Sequence, residues 1–399
     1  MKPKLRFPEF RDAEGWEFGR LEDALSSLSN GLNLEQGNDT SGYRVTRIET
    51  ISAGTIDLEK VGFVKTPQDL STYKLRVGDI LLSNINSLVH IGKSVFVERD
   101  YDLYHGMNLL RLVVNRSKND PKFIFHLINT NGIRASIRER ANKAVNQASI
   151  NQTELGKTEL ALPLIREQQK IADCLTSVDE LIAAQGRKVE SLKAHKKGLM
   201  RRLFPREGET QPRLRFPEFL DAGEWDIKEL GKLCKIRTGK KDANEGAEDG
   251  LYPFFTCAEN HIYSHSYSFD AEAILVAGNA NVGQTKYYHG KFEAYQRTYV
   301  LTDFSDISVQ YLYAVLNANL RLSLLRQVQS SAMSYIKLPM LQEFALAVPP
   351  SFSEQKTIAD CLSSLDELIL SQTQKLDALK THKKGLMQQL FPSPEEVEA

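Results

Sequence analysis

The sequence predicts an α/β (mixed α+β) chain built twice over: two domains of strands and helices, joined by two long antiparallel coiled-coil helices with pseudo-two-fold symmetry. Three observations carry this. Leu5-Arg6-Phe7-Pro8-Glu9-Phe10 recurs unchanged as Leu214-Arg215-Phe216-Pro217-Glu218-Phe219, with Trp16 and Trp225 following at the same offset. Glu167 to Pro205 matches Glu354 to Pro392 at 25 of 39 positions without a gap. Within both long copies apolar residues step by four and three, the 3.5-residue period of a coiled coil. Self-similarity on this scale sets the architecture before any residue is given a role.

In chain order, the first domain takes residues 1–165 and the first shared helix 166–205. A linker and the repeated lead-in fill 206–227. The second domain takes 228–352, the second shared helix 353–392, and a tail 393–399. In the first domain, Gly78-Asp79-Ile80-Leu81-Leu82-Ser83 reads as a short buried strand entering a polar loop. Lys93 to Val97 and Leu109 to Val114 are further strands, and Phe123 to Ile128 and Ile133 to Ala141 are helical. In the second domain Ala273 to Ala277 is a strand entering Gly278 to Gln284, Tyr299 to Leu301 is another, and Val309 to Asn317 is helical.

The helix seams are Ile171, Leu175, Val178, Ile182, Val189 and Leu192 in the first copy, continuing to Leu199 and Leu203. They are Ile358, Leu362, Leu365, Ile369, Leu376 and Leu379 in the second, continuing to Leu386 and Leu390. Gln185 with Gln372 and Lys196 with Lys383 are polar seam positions in both copies; a buried amide fixes register and a seam lysine can snorkel to water. Leu-Phe-Pro ends each helix, because proline cannot continue one. About 36 residues span ~54 Å at ~1.5 Å per residue, more than one turn of B-DNA, ~34–36 Å. Such a pair could hold two heads over separate grooves, or be an ordinary pairing hairpin.

Composition narrows the function. With 399 residues and 41% apolar content, two or more globular cores are expected. No apolar run approaches a bilayer span, and Met1-Lys2-Pro3-Lys4 is not followed by the apolar stretch of a signal peptide. Cys174, Cys234, Cys257 and Cys361 form no CxxC pair, so neither zinc nor a disulfide framework is expected, and a reducing cytoplasm is the expected compartment. Lysine plus arginine and aspartate plus glutamate both number 51; if nucleic acid is the partner, charge must be segregated in space.

Catalytic motifs fail on inspection. Gly278-x4-Gly283-Gln284-Thr285 has P-loop spacing but a glutamine where lysine must grip the phosphates. Val348-Pro349-Pro350-Ser351 lacks the Asn or Asp before the prolines, and the aromatic after them, of an amino-methyltransferase. His105, His126, His261, His265 and His289 show no metal spacing. No cofactor, metal or catalytic residue is therefore assigned to this chain.

Polar loops remain. Ser83, Asn84, Asn86 and Ser87, with Asn146 and Gln147, mark one domain; Asn279, Asn281 and Gln284 mark the other. Carboxamides present a donor beside an acceptor and can pair with adenine bidentately, although the same residue types also make plain turns. Arg44, Arg47, Lys93, Arg134, Arg138 and Lys143 in the first domain, and Lys240, Lys241, Lys286 and Arg297 in the second, are candidates to hold phosphates. Arg187, Lys188, Lys193, Lys196, Lys197, Arg201 and Arg202, opposed by Glu190, make one helix basic; this is a solvated face, a track for DNA or a dock for an acidic partner.

The order of domain, heptad helix, domain, heptad helix resembles the specificity subunit of type I restriction–modification enzymes. So do the strand entering a loop at Gly78-Asp79-Ile80-Leu81-Leu82-Ser83 and the exit Gln147-Ala148-Ser149-Ile150…Leu162-Pro163-Leu164…Glu167-Gln168. The second exit, Ser334-Tyr335-Ile336…Val348-Pro349-Pro350…Glu354-Gln355, is looser. The resemblance covers nearly the whole chain. It implies two target-recognition domains, each reading half of a split asymmetric site on double-stranded DNA, with the helices as spacer and as part of the dock. It implies two methyltransferase (M) subunits that bind S-adenosylmethionine and methylate adenine, and restriction (R) subunits that use ATP and Mg to cleave. It implies no membrane partner. The competing reading is a non-catalytic coiled-coil scaffold that grips proteins and never meets DNA, which zero net charge favours. A fused methyltransferase or an NTPase is a third.

Overall fold

The computed structural model describes residues 1–37, 39–88, 90–144, 147–206, 208–328 and 335–392. The chain divides into two compact units, Met1–Gln185 with Lys375–Ala399, and Gly186–Gln374. No helix among the described residues is long and apolar enough to cross a membrane.

Unit 1 is centred on a four-stranded antiparallel sheet of β2 (Leu25–Asn30), β5 (Ile80–Ser83), β7 (Ser94–Phe96) and β8 (Leu109–Val114), in the order β2-β8-β5-β7. The Ile-Leu-Leu-Ser run of β5 is buried throughout because it lies between β8 and β7 with both faces covered. Within the largely apolar β8, buried Arg111 is neutralised by Asp79 at 2.7 Å, which also accepts the Arg76 N–H. That pairing is the job of the aspartate before β5. A hairpin of β3 (Tyr43–Val45) and β4 (Gly62–Val64) stands apart. β6 (Ile85–Asn86), β9 (Asn142–Ala144) and β10 (Gln147–Ser149) form a third sheet, in the order β6-β10-β9. β1 (Glu17–Arg20) pairs with β11 (Glu159–Leu162), closing lead-in on exit. Helices α1 (Pro121–Ile128), capped by the Asp120 carboxylate on the Phe123 N–H, α2 (Asn131–Arg140) and α3 (Gln152–Gly156) complete the domain. Two histidines are buried in it. His105 Nε2 lies 2.9 Å from the Leu109 carbonyl, and burial lowers its pKa to about 4. His126, on α1, is lowered to about 3 by burial and by the charges of Lys383 and Lys122.

Unit 2 carries a six-stranded sheet, β13-β18-β16-β17-β14-β15, in which only β14 and β17 run parallel. Its strands are β13 (Lys235–Thr238), β14 (Tyr252–Phe255), β15 (Ile262–Ser264), β16 (Phe269–Ala277), β17 (Thr285–Ala294) and β18 (Thr298–Thr302). β12 (Asp226–Glu229) pairs with β19 (Ala345–Val348) as β1 does with β11. Helices α5 (Leu230–Leu233), α6 (Val309–Val328) and α7 (Leu338–Gln342) pack around them. α6 runs well past the Asn317 expected from sequence, because its apolar stripe continues through Leu320 and Leu324, both fully buried.

The long helices are α4 (Ile165–Leu203) and α8 (Phe352–Leu390), 39 residues each. Each unit holds the start of one and the end of the other. In unit 1, Ile171 and Leu175 of α4 share a core with Leu386, Met387 and Leu390 of α8. In unit 2, Ile358 and Leu362 of α8 share a core with Leu199, Met200 and Leu203 of α4. The pairing is therefore antiparallel within each unit. Val189 is buried, and Val178, Ile182, Leu192, Leu365, Ile369, Leu376 and Leu379 are half-buried. The seam lysines do not snorkel to water as expected. Lys383 pairs with Asp179 at 2.6 Å in unit 1 and Lys196 with Asp366 in unit 2. Beyond each helix a phenylalanine plugs a core. Phe391 meets Trp16 and Phe123 at 6.1 and 5.5 Å between ring centroids; Phe204 meets Tyr311, which meets Trp225, at 6.0 and 6.2 Å. Burying such a ring stabilises by roughly 1.5–3 kcal/mol.

One buried ionic cluster occurs twice. Arg6 grips Glu167 through Nε and Nη2 at 2.8 and 2.7 Å, and the Trp16 indole N–H donates to the same carboxylate at 3.3 Å. Arg215, Glu354 and Trp225 repeat this at 2.7, 2.8 and 3.3 Å. The next residue ties the helix to its domain. Gln168 accepts the Asp120 N–H and donates to the Asn119 side chain and the Pro163 carbonyl. Gln355 accepts the Ser308 N–H and donates to the Pro349 carbonyl. The repeated Glu-Gln pair is thus the joint between lead-in, domain and helix.

Candidate nucleic-acid interface

Both polar loops leave a central strand and return by the same backbone scheme. In unit 1, β5 ends at buried Ser83, whose N–H donates to the Lys93 carbonyl and whose carbonyl accepts the Gly92 N–H. In unit 2 the Ala277 N–H donates to the Gln284 carbonyl, and the Ala277 carbonyl accepts the Gly283 N–H. The returning glycines, Gly92 (φ +76°) and Gly283 (φ +75°), are left-handed and closely packed. A Cβ on Gly92 would lie 3.2 Å from an Ile137 methyl, and one on Gly283 3.0 Å from the Arg321 Cα. Gly283→Ala is therefore expected to destabilise unit 2 by about 1–3 kcal/mol, from left-handed strain plus a backbone clash. Urea unfolding reads this; an unshifted midpoint would mean that the turn tolerates a side chain.

Each loop root is also tied to the segment that leads into the long helix. The Ile150 N–H donates to the Asn84 carbonyl, and the Ile336 N–H to the Gly278 carbonyl, at 2.9 and 2.8 Å. β6 pairs with β10 beside the first contact, and Asn279 bridges to Tyr335 beside the second. Neither Asn84 Oδ1 nor Asn279 Oδ1, both buried, has a donor among the described residues.

The structure gathers Ser83, Asn84, Asn86, Ser87 and Gln147 around the β6–β10 pair. Asn86 donates to the Ser83 hydroxyl and accepts the Ser87 N–H, so its amide shapes the turn. Gln147 is exposed on β10. Lys93 donates to the Ser52 carbonyl. Arg44 and Arg47 belong to the β3–β4 hairpin and its continuation and are engaged there: Arg44 with the Tyr101 carbonyl and Asp102, Arg47 with Gln36 and the Gly37 carbonyl. Asn146 lies outside the described residues.

In unit 2, Asn279, Asn281 and Gln284 share the loop. The Asn281 amide donates to the Cys257 carbonyl at 2.9 Å, fastening the loop to the neighbouring segment. Arg297, whose carbonyl accepts the Gly278 N–H, is exposed, as is Lys240. The Lys241 ammonium donates to the Ser264 and Ser266 hydroxyls and sits 3.7 Å from buried Glu293. Burial lowers the pKa of Lys286, which donates to the Ala258 carbonyl over the Phe255 ring. Sequence reasoning missed the ten residues of β17, whose Tyr-Tyr-His-Gly-Lys stretch gives no clean apolar alternation. Tyr335, visible in the sequence only as part of the second exit, lies exposed beside the loop root. What these loops offer chemically is hydrogen bonding from amides and hydroxyls on rigid roots, which suits reading base edges.

A family model described as the type I restriction modification DNA specificity domain matches residues 13–194 and again 222–381. The putative type I restriction enzyme MjaX specificity subunit from Methanocaldococcus jannaschii is 31% identical over 409 residues, covering 95% of this chain and 93% of its own length. The type I restriction enzyme EcoDI specificity subunit from Escherichia coli is 40% identical over 156 residues, 39% of this chain and 34% of its own. The S subunit of a type I restriction–modification system from M. genitalium has a similar fold, with TM-score 0.66 and 17% identity over 98% of this chain and all of its own.

Proposed function

Because the chain belongs to the family of type I restriction–modification DNA specificity subunits, we propose that each unit reads one half of a bipartite, asymmetric DNA site. The chain itself is the non-catalytic DNA-recognition subunit, and DNA and the other members of a restriction–modification assembly are its partners. In the proposed assembly two methyltransferase subunits dock on it and supply S-adenosylmethionine. They methylate an adenine flipped out of the stack, while restriction subunits with ATP and Mg cleave, all in the cytoplasm. Helices α4 and α8, about 58 Å long at ~1.5 Å per residue, set the gap between half-sites. The protein-binding scaffold that avoids DNA is set aside on the family assignment.

One observation carries the half-site reading. Two loops of unlike sequence, Asn84 to Gly92 and Gly278 to Gly283, are rooted by the same hydrogen bonds. A constant mount with a variable tip is what two readers of different targets need. Exchanging residues 20–160 for the corresponding stretch of another member, with partner subunits present, should change one half of the methylated motif and leave the other half and the gap intact. Methylation mapping reads the outcome; two unchanged halves would end the proposal.

A further inference from the structure

α2 of unit 1 carries Arg134, Arg138 and Arg140 against a single acid, Glu139. Buried Ile137 presses this helix onto the return of the polar loop, within van der Waals reach of Gly92. Arg134 and Arg138 are one turn apart and share a face. Both are half-buried, and the Nε of each is buried without a hydrogen-bond partner among the described residues. Arg134 is also electrostatically frustrated: burial and the like charge of Arg138 disfavour its charged form.

Other arginines of unit 1 are treated differently. Arg6 has Glu167, Arg111 has Asp79, Arg44 has Asp102 and Arg47 has Gln36. Arg140, whose Nε is likewise buried without a hydrogen-bond partner among the described residues, differs in having the carboxylate of Glu154 close enough to help lower the pKa of that acid. Two like charges a turn apart repel, and desolvated, unpaired guanidinium groups cost free energy. Among the described residues the fold gives this pair no counter-charge, which points to an external anion. A guanidinium fork matches phosphate oxygens two at a time.

Resting on the reading of unit 1 as a DNA reader, we propose that Arg134 and Arg138 form a phosphate clamp that grips the duplex backbone beside the loop Asn84–Gly92. The clamp fixes register and supplies affinity without reading sequence, leaving discrimination to the loop amides.

The test uses the full chain assembled with its methyltransferase partners. Arg134→Gln with Arg138→Gln should weaken target and unrelated duplexes alike, by on the order of tens-fold at 0.1 M salt. It should reduce the slope of log affinity against log salt by about 2, one condensed cation per lost contact. The methylated motif should not change. Lysine at both positions should keep the slope close to native, and Arg140→Gln should leave it nearly untouched. If the double glutamine variant binds with native slope while the native complex remains salt-dependent, the clamp is wrong and the DNA-reading role stands. If subunit association is lost but the slope of the assembled fraction is native, the arginines face an acidic protein surface and the clamp is again wrong. A flat salt response in the native complex would instead overturn the DNA-reading role.

Discussion

Glu167→Ala should cost unit 1 about 3–5 kcal/mol, a large fraction of the stability of a typical domain. The Glu167 carboxylate is 1% exposed and the Arg6 side chain 7%. Removing the carboxylate strands a guanidinium and an indole N–H that have no water to turn to, and the loss is the desolvation penalty rather than one hydrogen bond. The guanidinium also donates to the Ala13 and Glu14 carbonyls, so its rotation would disturb the chain before Trp16 as well. Glu354→Ala should do the same to unit 2. Urea unfolding of the single variants checks this, with a loss below 1 kcal/mol as the contrary result. Replacing Arg6 and Glu167 together by methionine should recover much of the loss, since a buried ion pair is often no better than apolar residues of similar volume.

Acid should loosen unit 1 well before carboxylates of ordinary pKa are protonated. His105 and His126 have folded-state pKa values of about 4 and about 3, against about 6.5 in the unfolded chain. Between these values the unfolded chain binds protons that the folded chain refuses. Stability is full above pH 6.5 and falls as pH drops towards the folded values. At 1.36 kcal/mol per unit, each histidine accounts for about 3 kcal/mol by pH 4. His126→Leu should remove its share of the acid-dependent fall. Unfolding free energies at pH 7.5 and pH 4.5 for native and variant protein decide the matter; equal falls in the two would show that His126 does not refuse the proton.

The helix seams could be read directly, because a 3.5-residue period is local and survives in the folded state: Ile171, Leu175, Ile358 and Leu362 are buried as expected. The strands Ile80–Ser83 and Leu109–Val114 could be read for the same reason. The joint could not. Arg6, Trp16, Glu167 and Gln168 were visible as repeated letters, but their meeting spans some 150 residues of chain and follows from no period. The signal that could have found it was identity at polar positions outside the heptad, where drift is otherwise free. The seam lysines carried the same signal in Asp179 and Asp366. The loop amides were harder still. The Asn86 amide is spent on Ser83 and Ser87 and that of Asn281 on the Cys257 carbonyl, and nothing in an asparagine's local sequence tells a structural amide from a base reader.

The placement of the two terminal phenylalanines has a consequence for inheritance. Phe204 is encoded with the first half of the gene but completes the core around Trp225, and Phe391 is encoded with the second half but completes the core around Trp16. Were the reading frame split after Pro205, each product would lack the ring its own interior requires and carry the one its sibling needs. A half inherited as a separate gene would then need a second chain to close its core.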